Sequence, residues 1–312
     1  MATAQIPTSR PSKSEYRIYT ELQALLAVRH RARDLKLFSR QPARSMLFGE
    51  TRSRFRGRGM EFEEVRRYQP GDDIRTIDWR VSARTGKTHT KLFCEERERP
   101  VHILVDQRSS MFFGSTRAFK SVIAAETAAI FAWAALAGSD RIGGQIIADN
   151  QESDIRARRN KQAVLKFIHD LHNLNCALPG NAEVTRTLAQ MLEECRRLTR
   201  PGTAIFVISD FHDIDEETER ALVTLGRNTD ITLVRVYDPV ERQLPNVSEL
   251  AISDGKKRAS IDMNREIIAS YQQQLQIRES LLKKAVRGAQ AASMEISTAD
   301  NPLSFLQRRY GK

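Results

Sequence analysis

The sequence predicts a doubly wound α/β fold: a mostly parallel sheet with helices on both faces, preceded by a small β-rich element. Three observations carry this. An apolar run, Val101-His102-Ile103-Leu104-Val105, ends in Asp106 and is followed at once by Gln107-Arg108-Ser109-Ser110-Met111. Short apolar runs bounded by polar residues read as buried parallel strands. A second run, Ala204-Ile205-Phe206-Val207-Ile208, ends the same way, in Ser209-Asp210-Phe211. From Val101 onward strand-like and helix-like stretches alternate, which implies right-handed crossovers within one sheet.

The elements follow in order. Residues 1–14 are polar, with Pro7 and Pro11, and are expected to be disordered. Residues 15–38 place Ile18, Leu22, Leu25 and Leu26 at helical spacing with charges opposite, so 15–45 reads as a helix and linker. Residues 40–59 turn polar and carry Arg40, Arg44, Arg52, Arg54, Arg56 and Arg58, with Gly57 and Gly59 among them. From 60 to 98 short strand-like pieces alternate with turns, the strongest being Gln69-Pro70-Gly71-Asp72-Asp73. Residues 46–99 are therefore expected to form the small β-rich element and 100–312 the main domain. Within the latter, strands are expected at 101–106, 141–148, 203–209, 231–237 and 294–297. Helices are expected at 117–137, 161–174, 183–199, 215–225 and 264–289. An edge hairpin pairs 249–253 with 258–261 across Asp254-Gly255-Lys256-Lys257.

Composition bounds the partners. Lys and Arg total 50 against 39 Asp and Glu, a formal charge of +11 over 312 residues. Such an excess suits nucleic acid, an anionic lipid surface or an acidic protein face. Cys94, Cys176 and Cys195 form no CxxC, so neither a disulfide framework nor a zinc site follows, and a reducing cytosol is the expected setting. The N-terminus lacks the apolar core of a signal peptide. The long apolar stretch 124–137 carries Glu126 and Thr127 and is short for a bilayer span. It is expected to be a buried helix in a cytoplasmic protein with no direct membrane insertion.

Asp106 and Asp210, each at a strand's carboxyl end with hydroxyls beside it, stand where open α/β sheets place ligands. Their oxygens are of the kind that Mg²⁺ or Mn²⁺ uses. That arrangement suggests a binding module and offers no nucleophile–base pair. Asp72, Asp73 and Asp78 could instead form a hydrolase metal cluster. The turn chemistry of Pro70-Gly71 favours structural use, with Arg75, Arg80 and Arg84 as partners for Asp78. Trp79 reads as a packing anchor between the small element and the main domain. The tract from Arg52 to Arg58 offers a nucleic-acid reading, but it is short, has one aromatic and precedes Glu61, Glu63 and Glu64. His169 and His172 stand i, i+3 without an evident third metal ligand, His102 lies inside a strand, and His212 neighbours Asp210 and Asp213. Neither a Gly-x-Ser-x-Gly elbow nor a Gly-x-x-x-x-Gly-Lys loop occurs.

Two blocks are distinctive together. One is Gly59-Met60-Glu61-Phe62-Glu63 with Arg67-Tyr68-Gln69-Pro70-Gly71-Asp72-Asp73-Ile74-Arg75-Thr76-Ile77-Asp78-Trp79, and the other is Ser82-Ala83-Arg84. They resemble the domain-of-unknown-function 58 family, whose members carry a von Willebrand factor A-like domain and are associated with MoxR-type AAA+ ATPases. The resemblance spans about residues 46–237. It implies a metal-ion-dependent adhesion site of the form Asp-x-Ser-x-Ser, with a loop threonine and a further aspartate. Asp106 matches the first aspartate, Ser110 the second serine and Asp210 the last aspartate. Arg108 replaces the first serine, and residues 175–183 carry no threonine. Arginine offers five donors and no acceptor. Pointing inward, its guanidinium would pair with Asp106 and Asp210 and take the cation's place. Pointing outward, it would leave Asp106, Ser110 and Asp210 to hold a weak hydrated ion.

The resemblance therefore implies a non-enzymatic adaptor working with a MoxR-type AAA+ ATPase and an unknown client through a degenerate adhesion site. Asp106, Arg108, Ser110 and Asp210 are its expected partner-binding residues. The alternative is a nucleic-acid-associated protein using the Arg52–Arg58 tract.

Overall fold

The structure, a computed structural model, describes residues 17–38, 60–95, 99–177, 186–245, 247, 249–253 and 258–311. The first 14 residues, the Arg52–Arg58 tract and most of the 175–183 loop lie outside them. Contacts divide the chain into two units, one of Met1–Leu37 with Arg99–Lys312 and one of Phe38–Glu98.

The first described elements are two short helices, α1 (Leu22–Ala27) and α2 (Arg29–Ala32), in place of one long helix. Leu25, Ala32 and Leu35 are buried in the larger unit, and the Trp133 indole donates to Leu25 O at 3.1 Å.

The smaller unit holds β1 (Met60–Arg67), α3 (Trp79–Thr85) and β2 (His89–Glu95). The two strands pair antiparallel, with a register shift between Phe62 and Glu64. Gly71, at φ 107°, makes the turn that a side chain would strain. Each acid of the motif builds backbone. Asp72 accepts from Gln69 N at 2.9 Å and from Arg66 Nη2 at 2.6 Å. Asp73 caps a 3₁₀ turn at Ile74–Thr76, and Asp78 caps α3 by accepting from Arg80 N and Val81 N. The ion partner of Asp78 is Lys91, at 3.6 Å, rather than the expected arginines. A carboxylate committed to two amides at a helix N-terminus faces along that axis and away from the side chains of its own helix.

The larger unit continues with β3 (Pro100–Asp106), α4 (Lys120–Ala137), β4 (Arg141–Ile147), β5 (Glu152–Arg158) and α5 (Lys161–Cys176). Next come α6 (Leu188–Leu198), β6 (Ala204–Ser209), α7 (Glu216–Gly226), β7 (Asp230–Tyr237) and α8 (Pro239–Arg242). A hairpin, β8 (Glu249–Ser253) and β9 (Arg258–Asp262), precedes α9 (Arg265–Gly288), β10 (Ala292–Ser297) and α10 (Pro302–Tyr310).

Six strands form one sheet in the order β10-β7-β6-β3-β4-β5, parallel throughout except for β5, which runs antiparallel to β4. β3 and β6 are buried along nearly their whole length, as central parallel strands must be. One face is covered by α6, α7 and α9, where Leu104, Ile205, Val207, Ile231 and Leu233 meet Leu188, Met191, Leu192, Leu222, Leu225 and Ala285. The other face is covered by α4 and α5, with α1, α2 and α10 packed on α4. α4 is apolar all round and long enough by composition to cross a membrane, yet 83% of it is buried inside the unit. Its Phe131 ring stacks on Phe206 of β6, centroids 4.4 Å apart. Burial on every side removes the need for a polar face, so this helix is the core of the sandwich.

The chain departs from β3 toward β4 on one side, while β6 flanks β3 on the other. The crevice outside the carboxyl ends of β3 and β6 is the switch point at which doubly wound sheets bind ligands.

Candidate functional site

Asp106 ends β3 at 0% exposure, and Asp210 follows β6 at 7%. Beyond Asp210 the backbone enters the left-handed region at Phe211 (φ 54°), a conformation that a bulky residue adopts only when its surroundings enforce it. The Phe211 side chain is 2% exposed, so core packing supplies that enforcement. The tight turn brings Asp213 back over the strand ends.

Arg108 points inward, its side chain 3% exposed. Its guanidinium donates from Nε to Asp106 Oδ1 at 3.0 Å and from Nη2 to Asp106 Oδ2 at 2.8 Å. It reaches Asp213 from Nη1 at 2.6 Å and from Nη2 at 2.9 Å, and Arg186 O from Nη1 at 3.0 Å. All five donors are used. Of the two orientations that the sequence left open, the structure shows the inward one, with Asp213 rather than Asp210 as the second carboxylate. Asp210 is taken by a cation the sequence reading missed. The Lys120 ammonium, 3% exposed at the start of α4, donates to Asp210 Oδ2 at 2.8 Å and also to Glu241.

These pairs set the charge states. Burial alone would push both cations toward neutrality, but the facing carboxylates outweigh it and hold the Arg108 and Lys120 values above their ordinary ones. Burial likewise raises Asp210 and Asp213. Lys120 and Arg108 respectively more than reverse this, so both carboxyls titrate below the usual range.

Further bonds tie the loops together. Ser209 Oγ donates to Asp106 Oδ2 at 2.7 Å, and Leu188 N donates to Asp213 at 3.0 Å. Asp149, beyond β4, accepts from Ser109 N at 3.1 Å. Asp238, fully buried beyond β7, accepts from Ser115 N at 2.7 Å, from Val240 N at 3.0 Å and from the Thr298 hydroxyl. Behind the edge, Gln107 Nε2 donates to Ser121 O and its Oε1 accepts from Asn175 Nδ2, each at 3.0 Å. Asn175 Oδ1 in turn accepts from Thr20 N at 2.7 Å. Four strand ends and the N-terminal segment are thereby joined through one polar layer.

Of the four expected site residues, Asp106, Arg108 and Asp210 converge. Ser110, half-buried on a 3₁₀ turn at Ser109–Met111, takes no part in the cluster. His212 donates its backbone N–H to Asp210 Oδ1 at 3.0 Å while its ring faces outward. His172 bonds the Thr20 hydroxyl. The residues that the sequence reading missed are Lys120, Asp213, Glu241 and Asp238. Asp213 was legible as the third residue after Asp210, and Lys120 as the charge opening an otherwise apolar helix.

A divalent ion does not fit this donor set. Both oxygens of Asp106 and both of Asp210 already accept from nitrogen or hydroxyl donors. An ion there would also face two buried cations, in surroundings where charge repulsion is weakly screened. Among the described residues, no group of three or more His, Cys, Asp or Glu side chains is arranged to hold a metal.

Comparison with known proteins bears on the family. The family model described as "Protein of unknown function DUF58" matches residues 64–280. The chain belongs to the DUF58 family. Its curated relatives include the uncharacterized proteins Rv1480 of Mycobacterium tuberculosis and Mb1516 of Mycobacterium bovis. Each is 29% identical over 224 residues, covering 72% of this chain and 69% of the relative. Among solved structures, BatB from Bacteroides thetaiotaomicron is 11% identical at a TM-score of 0.46, over 67% of this chain and 96% of that one. The SpRpn10 VWA domain is 15% identical at a TM-score of 0.36, over 68% and 95%. The mostly parallel α/β fold of this DUF58 protein rests on its own strand order.

Proposed function

We propose that this DUF58 protein is a non-enzymatic protein-interaction adaptor of the cytoplasm. In this reading it acts with a MoxR-type AAA+ ATPase in assembling or remodelling a client complex, and its carboxyl rim engages partners without a metal ion. One observation carries the reading: the titratable groups at the switch point are spent on one another. Asp106 and Asp213 share Arg108, and Asp210 and Glu241 share Lys120. A group locked in a buried ion pair is poorly placed to shuttle protons, and all five Arg108 donors are already committed. What such a layer does well is hold loops rigidly, and a preorganised loop surface loses less entropy on docking. Above the lock, Ser109 and His212 are exposed, Phe113 is 37% exposed, and Asp213 shows 28% of its side chain. Asp106 and Arg108 act in this reading as positioning residues beneath that surface.

The test is affinity capture of the tagged full-length chain from native lysate, with and without ATP and with EDTA. An AAA+ ATPase retained in EDTA supports the reading. Retention that EDTA abolishes refutes the metal-free rim, and nuclease-sensitive nucleic acid as the sole partner refutes the adaptor role.

A further inference from the structure

The smaller unit carries a motif that the rim does not use. In Pro70-Gly71-Asp72-Asp73-Ile74-Arg75-Thr76-Ile77-Asp78-Trp79, the polar work is internal. Asp72 accepts from Gln69 N and Arg66, Asp73 from Arg75 N at 2.9 Å, and Asp78 from Arg80 N at 3.0 Å and Val81 N at 3.1 Å. The backbone of Asp78 donates to His89 O at 2.9 Å, and the Ser82 hydroxyl accepts from His89 N at 2.9 Å. Arg66 lowers the Asp72 value and backbone amides lower that of Asp78, so both stay ionised and keep capping.

Two apolar side chains stand outward on this braced turn: Ile74 is 67% exposed and Trp79 is 69% exposed. The same turn and helix carry three arginines. Arg75 follows Ile74 in the chain, and Arg80 and Arg84, after Trp79, form an i, i+4 row on α3. Among the described residues none of these three guanidinium groups pairs with a carboxylate, whereas Asp72 and Asp78 of the same motif are both paired.

We infer that this face is a docking site for an acidic protein segment that places an apolar side chain against Ile74 and Trp79 and carboxylates against Arg75, Arg80 and Arg84. The inference is independent of the rim. Tryptophan and arginine are the side chains most enriched among residues that dominate protein interfaces. The capping aspartates fix the turn in advance, so little ordering cost is left for docking. The charge left over is cationic, which sets the sign of the partner. A single aromatic beside three arginines falls short of the successive stacking surfaces that single-stranded nucleic acid uses.

The chain reports on the site directly, because it has two tryptophans and the other, Trp133, is 3% exposed. In the free full-length protein, iodide should quench Trp79 more strongly than caesium does, as the surrounding arginines concentrate an anion. The probe is a synthetic glutamate-rich peptide carrying one leucine, read by anisotropy of an attached dye. Its binding should blue-shift and protect Trp79. Trp79→Ala should weaken it about 30-fold, the loss typical of a dominant interface side chain. Arg80→Glu with Arg84→Glu should weaken it by more than about tenfold while leaving the far-ultraviolet circular dichroism unchanged. Tighter binding of poly(U) RNA or of phosphatidylserine vesicles with the same Trp79 protection would overturn the inference. So would a Trp79 that no quencher reaches in the free chain, or peptide binding indifferent to all three substitutions.

Discussion

Replacing Arg108 with methionine isolates the lock at the sheet edge, because methionine keeps an unbranched stem and removes the five donors. The two carboxylates left behind differ. Asp213 is 28% exposed and retains Leu188 N, so water can replace the guanidinium. Asp106 is fully buried and retains only the Ser209 hydroxyl and the backbone N–H of residue 108. Removing one partner of a buried pair costs about 3–5 kcal/mol, and the partial exposure of Asp213 places this site near the lower bound. At about 2–4 °C per kcal/mol for a unit of this size, Tm should fall by roughly 10 °C. Adding Asp106→Asn to Arg108→Met should recover part of the loss, with a coupling energy above about 1 kcal/mol, since the stranded charge is then gone. Urea unfolding followed by circular dichroism measures all three proteins. A single variant within about 0.5 kcal/mol of the parent would refute the buried ion pair. Strict additivity in the double variant would do the same.

Other expectations follow from the same geometry. His102 is 6% exposed inside β3, and burial lowers its pKa to about 4 from the ordinary 6.5. Between these values the unfolded chain takes up a proton that the folded chain refuses, so stability should fall as pH drops from 6.5 toward 4, by up to about 3 kcal/mol. His102→Leu should flatten that stretch of a urea-midpoint profile, and an unchanged profile would count against the buried neutral imidazole. Because Asp210 and Asp213 titrate below the usual range, a second loss should appear below about pH 4, where the unfolded carboxyls protonate first. Adding Mg²⁺ or Mn²⁺, or removing ions with EDTA, should leave Tm unmoved. An ion at 100 times its Kd would add about 2.7 kcal/mol, so a rise of several degrees would show that the edge does hold one. Gly144→Ala should cost about 1–3 kcal/mol by overpacking, since a Cβ would meet Phe167 Cε2 at 2.6 Å and Ile103 O at 2.8 Å. A thermal shift assay showing no change would mean that α5 sits farther from β4.

What the sequence made legible depended on local signals. The five expected strands of the main sheet formed within two residues of their anticipated ends, and the central β3 and β6 read most plainly because buried parallel strands are written as contiguous apolar runs. β5 escaped notice, since Glu-Ser-Asp-Ile-Arg-Ala-Arg buries only Ile155, as an antiparallel edge strand does. α6 starts at Leu188 rather than 183 because Thr187 and Gln190 form a reciprocal cap there. α10, whose N-terminus is set by Asn301 and Pro302, carried a start signal that went unread. At the site, Asp106 and Asp210 were visible as strand ends. Lys120 and Glu241 were not, because Lys120 pairs with Asp210 and with Glu241 across about 90 and 120 residues of sequence.

The larger unit is sewn from segments on both sides of the smaller one. Lys36 N donates to Tyr310 O at 2.9 Å, and Leu25, Ala32 and Leu35 bury in a unit otherwise made of Arg99–Lys312. A ribosome delivers these three residues well before the α10 carbonyl, a delay on the order of tens of seconds at ordinary synthesis rates. Over that interval the leading segment has no finished surface to cover it. Vectorial folding can pair the strands of the inserted smaller unit early, but the larger one closes only once α10 has emerged. Nascent chains should therefore show a protease-sensitive stretch at α1 and α2 until α10 has emerged.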